Sequence, residues 1–170
     1  PGAGETLRRF LALGVTHILP FGLDHVLFVA GLALLSPRLA PLLLQVTAFT
    51  LAHTLTLALS SYGVVSLPSR LVEPLIALSI VYVGVENAVS PRLRPSRLVL
   101  VFAFGLLHGL GFAGVLAEMG LPDRHHLLAL LAFNVGVELG QLAVIALVAG
   151  ALAAWALRGS DRRGLVRPAS

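Results

Sequence analysis

His17, Asp24 and His25 fall within one short string, His17-Ile-Leu-Pro-Phe-Gly-Leu-Asp24-His25. Imidazole and carboxylate groups ligate divalent cations and carry protons near neutral pH. His53, His108 and Glu138 follow singly, each inside a later apolar stretch. Titratable side chains are expensive in hydrocarbon, so where they occur they face a bundle interior, a water-filled cavity or a bound ion. This distribution makes the chain a candidate for handling a cation or a proton inside a membrane. There is no cysteine and a single methionine, Met119, which excludes thiolate metal sites, disulfides and iron–sulfur clusters. Any metal must then use imidazole, carboxylate and amide oxygen, a donor set suited to nickel, zinc or cobalt.

The elements that position these groups follow from composition. With 170 residues, 57% of them apolar and 12% charged, a soluble domain could not cover its own core. The chain is expected to be an integral membrane protein, all-α, forming one transmembrane helical domain over residues 1–170. Five stretches meet the roughly 20 apolar residues a spanning helix needs: 10–36, 39–60, 71–89, 97–118 and 127–157. The first is too long for one straight helix and contains Pro20 and Gly22. Proline removes a backbone donor and clashes one turn back, so we expect an amphipathic or re-entrant segment over 5–19 and a span over 21–36. The fifth stretch should tilt or project beyond the bilayer. No low-complexity segment or clear sequence repeat is present.

All twelve basic residues are arginines and the net charge is +4. In a membrane protein they sit in loops and tails against lipid headgroups rather than on nucleic acid. Arg38, Arg92, Arg94, Arg97, Arg158, Arg162, Arg163 and Arg167 fall on one side of a five-span topology, and Arg8, Arg9, Arg70 and Arg124 on the other. The positive-inside rule then places the N-terminus outside and residues 158–170 in a basic cytoplasmic tail. The start at Pro1 is read as trimmed or processed, which leaves room for a missing signal or extracytoplasmic domain.

Counted from the outer ends of their helices at about 1.5 Å per residue, His53, His108 and Glu138 lie about 10, about 15 and about 16 Å deep. Asn134, Glu138 and Gln141 share one helical stripe, whereas Asp24 and His25 begin their span and are expected to lie shallower. Three histidines and two carboxylates can therefore converge in the outer half of a bundle. Asp24 can orient His25 as an acceptor behind a metal ligand. The structural alternatives are an interfacial helix start capped by Asp24, a buried neutral His53 bonded to a threonine or carbonyl, glycines at 105 and 109 serving only packing, and a protonated Glu138 specifying packing. Glu73 before Pro74 is expected to cap the third span, and Glu86 with Asn87, near its cytoplasmic end, to form an exit site or an interfacial pair. His125 and His126 are expected to be solvated.

Taken together, several strings resemble the HupE/UreJ family of nickel and cobalt permeases, in its second branch. They are Gly14-Val-Thr-His17-Ile18 with Gly22-Leu-Asp24-His25-Val-Leu27-Phe28, Phe49-Thr50-Leu-Ala52-His53-Thr54, Val72-Glu73-Pro-Leu-Ile76-Ala77, Glu86-Asn87, Phe104-Gly105-Leu-Leu107-His108-Gly109 and Phe133-Asn134-Val-Gly136-Val-Glu138-Leu-Gly140-Gln141. The resemblance spans residues 14–141 and implies a bacterial inner-membrane protein supplying transition metal, with His17, Asp24, His25, His53, His108 and Glu138 as metal-handling positions. One departure is that Ile18 follows His17, where the better-known branch has proline.

Three functions are open at this point. The first is a membrane protein that passes nickel or a related divalent ion inward through a His/Asp/Glu site, with Asn134 and Gln141 beside the ligands and Glu86 and Asn87 on the pathway. The second is an intramembrane zinc-dependent hydrolase or transferase, with His25, His53 and His108 holding zinc and Asp24 or Glu138 as base. The third is a non-catalytic sensor or assembly partner. A homo-oligomer formed through Gly105/Gly109 or Gly136/Gly140 would supply a larger path.

Overall fold

The computed structural model describes residues 2–36, 38–89 and 96–164. Six helices account for nearly all of these: α1 (Ala3–Ile18), α2 (Leu23–Leu35), α3 (Leu39–Ser61), α4 (Ser69–Val89), α5 (Ser96–Met119) and α6 (His126–Gly164), with a 3-10 turn at Asp123–His125. No strand occurs among the described residues. The expected link over 90–95, with Arg92 and Arg94, lies outside the described residues, as do the side chains of the tail beyond residue 158.

Helices α3, α4, α5 and α6 are each long and apolar enough to cross a membrane. The pair α1 and α2, bent by 69° at a short break, is together long and apolar enough for a fifth, broken span or a re-entrant loop. The break falls where proline and glycine place it. Leu19 is extended, as a residue before proline prefers to be, and α1 stops at Ile18. Gly22 packs directly on the His17 carbonyl, where any Cβ would collide. Asp24 then sits in the first turn of α2, where the helix dipole favours a carboxylate.

Helix pairing follows small residues. Gly14 of α1 meets Phe133 and Gly136 of α6, while Gly140 meets Ile18. Gly105 and Gly109 of α5 lie on the backbones of Phe49 and His53 in α3. Residue numbers rise together across each contact, so both pairs run parallel. Without a hydrophobic drive between helices in lipid, such close backbone approach is a main source of association. Both glycine pairs proposed above as oligomer contacts are thus occupied within the chain. Gly31 of α2 faces Val83 of α4, and the Asn87 amide donates to the Gly31 carbonyl at 2.7 Å.

Two local expectations change. Because α4 begins at Ser69, Glu73 lies beyond its first turn and does not cap it. Asp24 and His25 are not shallower than the other histidines. Helix α1 first carries the chain down beside α6, so α2 starts at the level of Phe133 to Gly140.

Candidate metal centre

Four helices supply the histidines that meet at this level. The last turn of α1 supplies His17, the first turn of α2 Asp24 and His25, the middle of α3 His53, and α5 His108. The ring centroids of His17 and His25 are 4.7 Å apart, those of His25 and His108 4.8 Å, and those of His25 and His53 5.8 Å. In His17, His25 and His53, one ligand nitrogen from each ring lies within 4.8 Å of the other two. The surroundings are aromatic: Phe112 is 4.0 Å from His17, and Phe49 4.9 Å from His108, between ring centroids.

The hydrogen bonds determine which nitrogens are available. His25 Nδ1 donates to Asp24 Oδ1 at 3.1 Å, and His53 Nδ1 donates to Asn134 Oδ1 at 3.0 Å. Carboxylate and amide oxygens only accept, so each ring carries its proton on Nδ1 and presents a lone pair at Nε2. Asn134 cannot flip without loss, because its Nδ2 donates to the Leu130 carbonyl at 2.8 Å. This is the arrangement found behind metal-bound histidines, where an acceptor fixes tautomer and ring orientation. Nε2 of His17, His25 and His53, and both nitrogens of His108, are buried without a hydrogen-bond partner. Buried polar atoms are rarely left so, and the unpartnered nitrogens of His17, His25 and His53 belong to rings grouped closely enough that they could hold a metal ion.

A cavity of about 160 Å³ joins His17, Asp24, His25 and His108 to Glu73, Gly111 and Phe112. A second, of about 220 Å³, continues between α2 and α4 past Asp24, Glu73 and Ile76. Glu73 is exposed and stands at this opening. It is the site residue that reading the sequence as a helix cap conceals. Its signal was the spacing: positions 73, 76, 80, 83 and 87 form one stripe of α4, the stripe that faces α2.

The remaining candidates lie apart from the imidazoles. Glu138 accepts from the Thr47 hydroxyl at 2.8 Å, and Gln141 from Thr50 at 2.8 Å. With His53 and Asn134 they make a polar seam between α3 and α6. Glu86 and Asn87 belong to a second cluster further along the helices. Arg97, 2% exposed, donates from Nη1 to Glu86 at 3.0 Å, from Nη1 and Nη2 to Asn87 at 3.3 Å, and from Nε to Gln45 at 3.0 Å. His126 bonds Ser61 at 3.1 Å and stacks near Tyr62, away from the cavity.

Four apolar helices and a bent pair, broken at the level of a buried imidazole cluster, define an all-helical protein of the membrane-spanning class with a group of histidines that could hold a metal ion. Residues 2–170 match the family described as HupE / UreJ protein, and the chain belongs to that family. The family is associated with nickel and cobalt transport. No curated protein and no solved structure matches the chain.

Proposed function

We propose that this protein binds a divalent transition-metal ion, nickel or cobalt before zinc, in the histidine cavity and passes it across the membrane. The observation that carries the reading is the set of buried, unpartnered imidazole nitrogens of His17, His25, His53 and His108. A hydrated ion arrives between α2 and α4, where Glu73 and Asp24 draw it in by charge. It exchanges water for Nε2 of His17, His25 and His53, with His108 next to His25 at 4.8 Å between ring centroids. Asp24 and Asn134 hold two of these rings in the ligating tautomer. Imidazole suits nickel, cobalt and zinc, and a partly hydrated ion can leave again. Glu138, one turn from Asn134, is bonded to the Thr47 hydroxyl and stays outside the ligand set. In this reading the protein lies in a bacterial inner membrane, N-terminus outside, among lipids that its arginines contact, and works as one domain or as a homo-oligomer through another face.

Element-specific metal analysis and nickel uptake by proteoliposomes test this. About one nickel per chain is expected in the wild type, with loss of binding and uptake in His25→Ala and His53→Ala. If folded wild-type protein takes up none of nickel, cobalt or zinc, the reading is wrong. The second reading is an intramembrane zinc hydrolase, favoured by the opening beside Glu73, a carboxylate able to act on a metal-bound water. Tightly retained zinc with no flux would select it.

A further inference from the structure

Arg97, in the first turn of α5, is buried, and its guanidinium donors meet three side-chain oxygens from two helices: Gln45 Oε1, Glu86 Oε2 and Asn87 Oδ1. The two amides are not free to turn. Gln45 Nε2 donates to the Pro41 carbonyl at 2.9 Å, and Asn87 Nδ2 donates to the Gly31 carbonyl at 2.7 Å. Their oxygens stay aimed at the guanidinium because their nitrogens are tied to backbone elsewhere. One carboxylate and two oriented amide oxygens make a donor set of the kind that binds hard or partly hydrated divalent cations. The cluster lies along α3 from the histidine cavity, Gln45 being eight residues from His53, or about 12 Å of helix.

We propose that this oxygen cage is a second divalent-cation site, and that Arg97 occupies it as a tethered cation. The guanidinium closes the inner end of the bundle until a divalent ion, coming from the histidine cavity, displaces it. The inference rests on the transport reading above, and it adds a chain-borne competitor to it. A simple structural staple would need the arginine fork to match a carboxylate. It would not require two amides to be held by their nitrogens with both oxygens presented to one point.

Counting bound nickel by equilibrium dialysis on the full chain in detergent tests the proposal. Arg97→Gln should bind one nickel more per chain than the wild type, and the Glu86→Gln/Arg97→Gln double variant should lose that extra ion. In a His25→Ala background, Arg97→Gln should keep it, because the cage does not depend on the imidazoles. That arm separates the two ideas: failure of the histidine site leaves the extra ion in place. Folded Arg97→Gln protein with no extra nickel overturns the proposal. Should Arg97→Gln not fold, Arg97→Lys decides, since a lysine keeps the charge but not the fork. Nickel release from preloaded proteoliposomes should then rise several-fold over wild type, and unchanged or slower release overturns the plug.

Discussion

Helices α2, α3, α4 and α5 each contribute to two polar clusters, and the clusters are finished in opposite ways. At the first level His25, Glu73 and His108 line a cavity, His53 lies beside His25, and five imidazole nitrogens there, counting that of His17, have no partner. At the second, the Gly31 carbonyl, Gln45, Glu86 with Asn87, and Arg97 close on one another, and no atom of Arg97 is among the buried unpartnered ones. An unpaired buried polar atom costs about 1–3 kcal/mol, so the first cluster is a standing expense that stability alone does not explain. The second is an interhelical tie between four helices. Polar residues inside a membrane protein are therefore informative less by their presence than by whether their bonding capacity is filled.

The largest effect should come from breaking the filled cluster. Arg97→Ala leaves the partly buried Glu86 and two amide oxygens without a cation, a loss of about 3 kcal/mol. It should appear as a lower unfolding midpoint in detergent. Removing the carboxylate as well, in Glu86→Gln/Arg97→Ala, should recover more than half of the loss. A fall of less than about 1 kcal/mol in Arg97→Ala would show the tie to be marginal.

The open cluster should respond in affinity before stability. Asn134→Leu frees the His53 ring to turn and to change tautomer, and loss of such a supporting acceptor lowers metal affinity by about 10–100-fold. Folding should change little, because interhelical hydrogen bonds in membranes contribute about 0.6 kcal/mol on average. Asn134→Asp keeps an acceptor oxygen and should retain most of the nickel affinity in the same dialysis. Equal affinity in Asn134→Leu and wild type would mean that His53 does not ligate.

Much of this architecture is legible in the sequence, and the reasons for the rest are physical. Span number, the break at Pro20–Gly22 and the convergence of His17, His25, His53 and His108 follow from apolar length, proline chemistry and depth. Partner choice does not. Nothing in the spacing of Asn134, Glu138 and Gln141 says that the first reaches His53 while the other two reach threonines. Glu73 was hidden by the proline after it, which mimics a helix start. Arg97, counted as a loop charge by the positive-inside rule, is instead buried inside a span, and only its partners on α3 and α4 explain why. Helices α3 and α5 also share one string, Phe49-x-Leu51-x-His53-x-Leu55 and Phe104-x-Leu106-x-His108-x-Leu110, too short to stand out in a leucine-rich chain until the two helices are seen side by side.

The smallest expected effect has the opposite sign from the first. The His108 ring packs against Phe49 at 4.9 Å, His25 at 4.8 Å and Phe28 at 5.3 Å between centroids, with neither nitrogen bonded. Phenylalanine has nearly the same shape and no polar atoms to bury, so His108→Phe should stabilise the metal-free protein by about 1 kcal/mol. The nickel-induced rise in unfolding midpoint should shrink, because one imidazole facing the cavity is gone. It should not vanish, since His17, His25 and His53 still group within 4.8 Å. At the filled cluster the equivalent change, Gln45→Leu, deprives Arg97 of an acceptor and should destabilise. If His108→Phe instead lowers the metal-free midpoint as Gln45→Leu does, the unpartnered nitrogens carry no cost. The two clusters would then differ only in composition, and the argument from unfilled bonding capacity to function would fail with them.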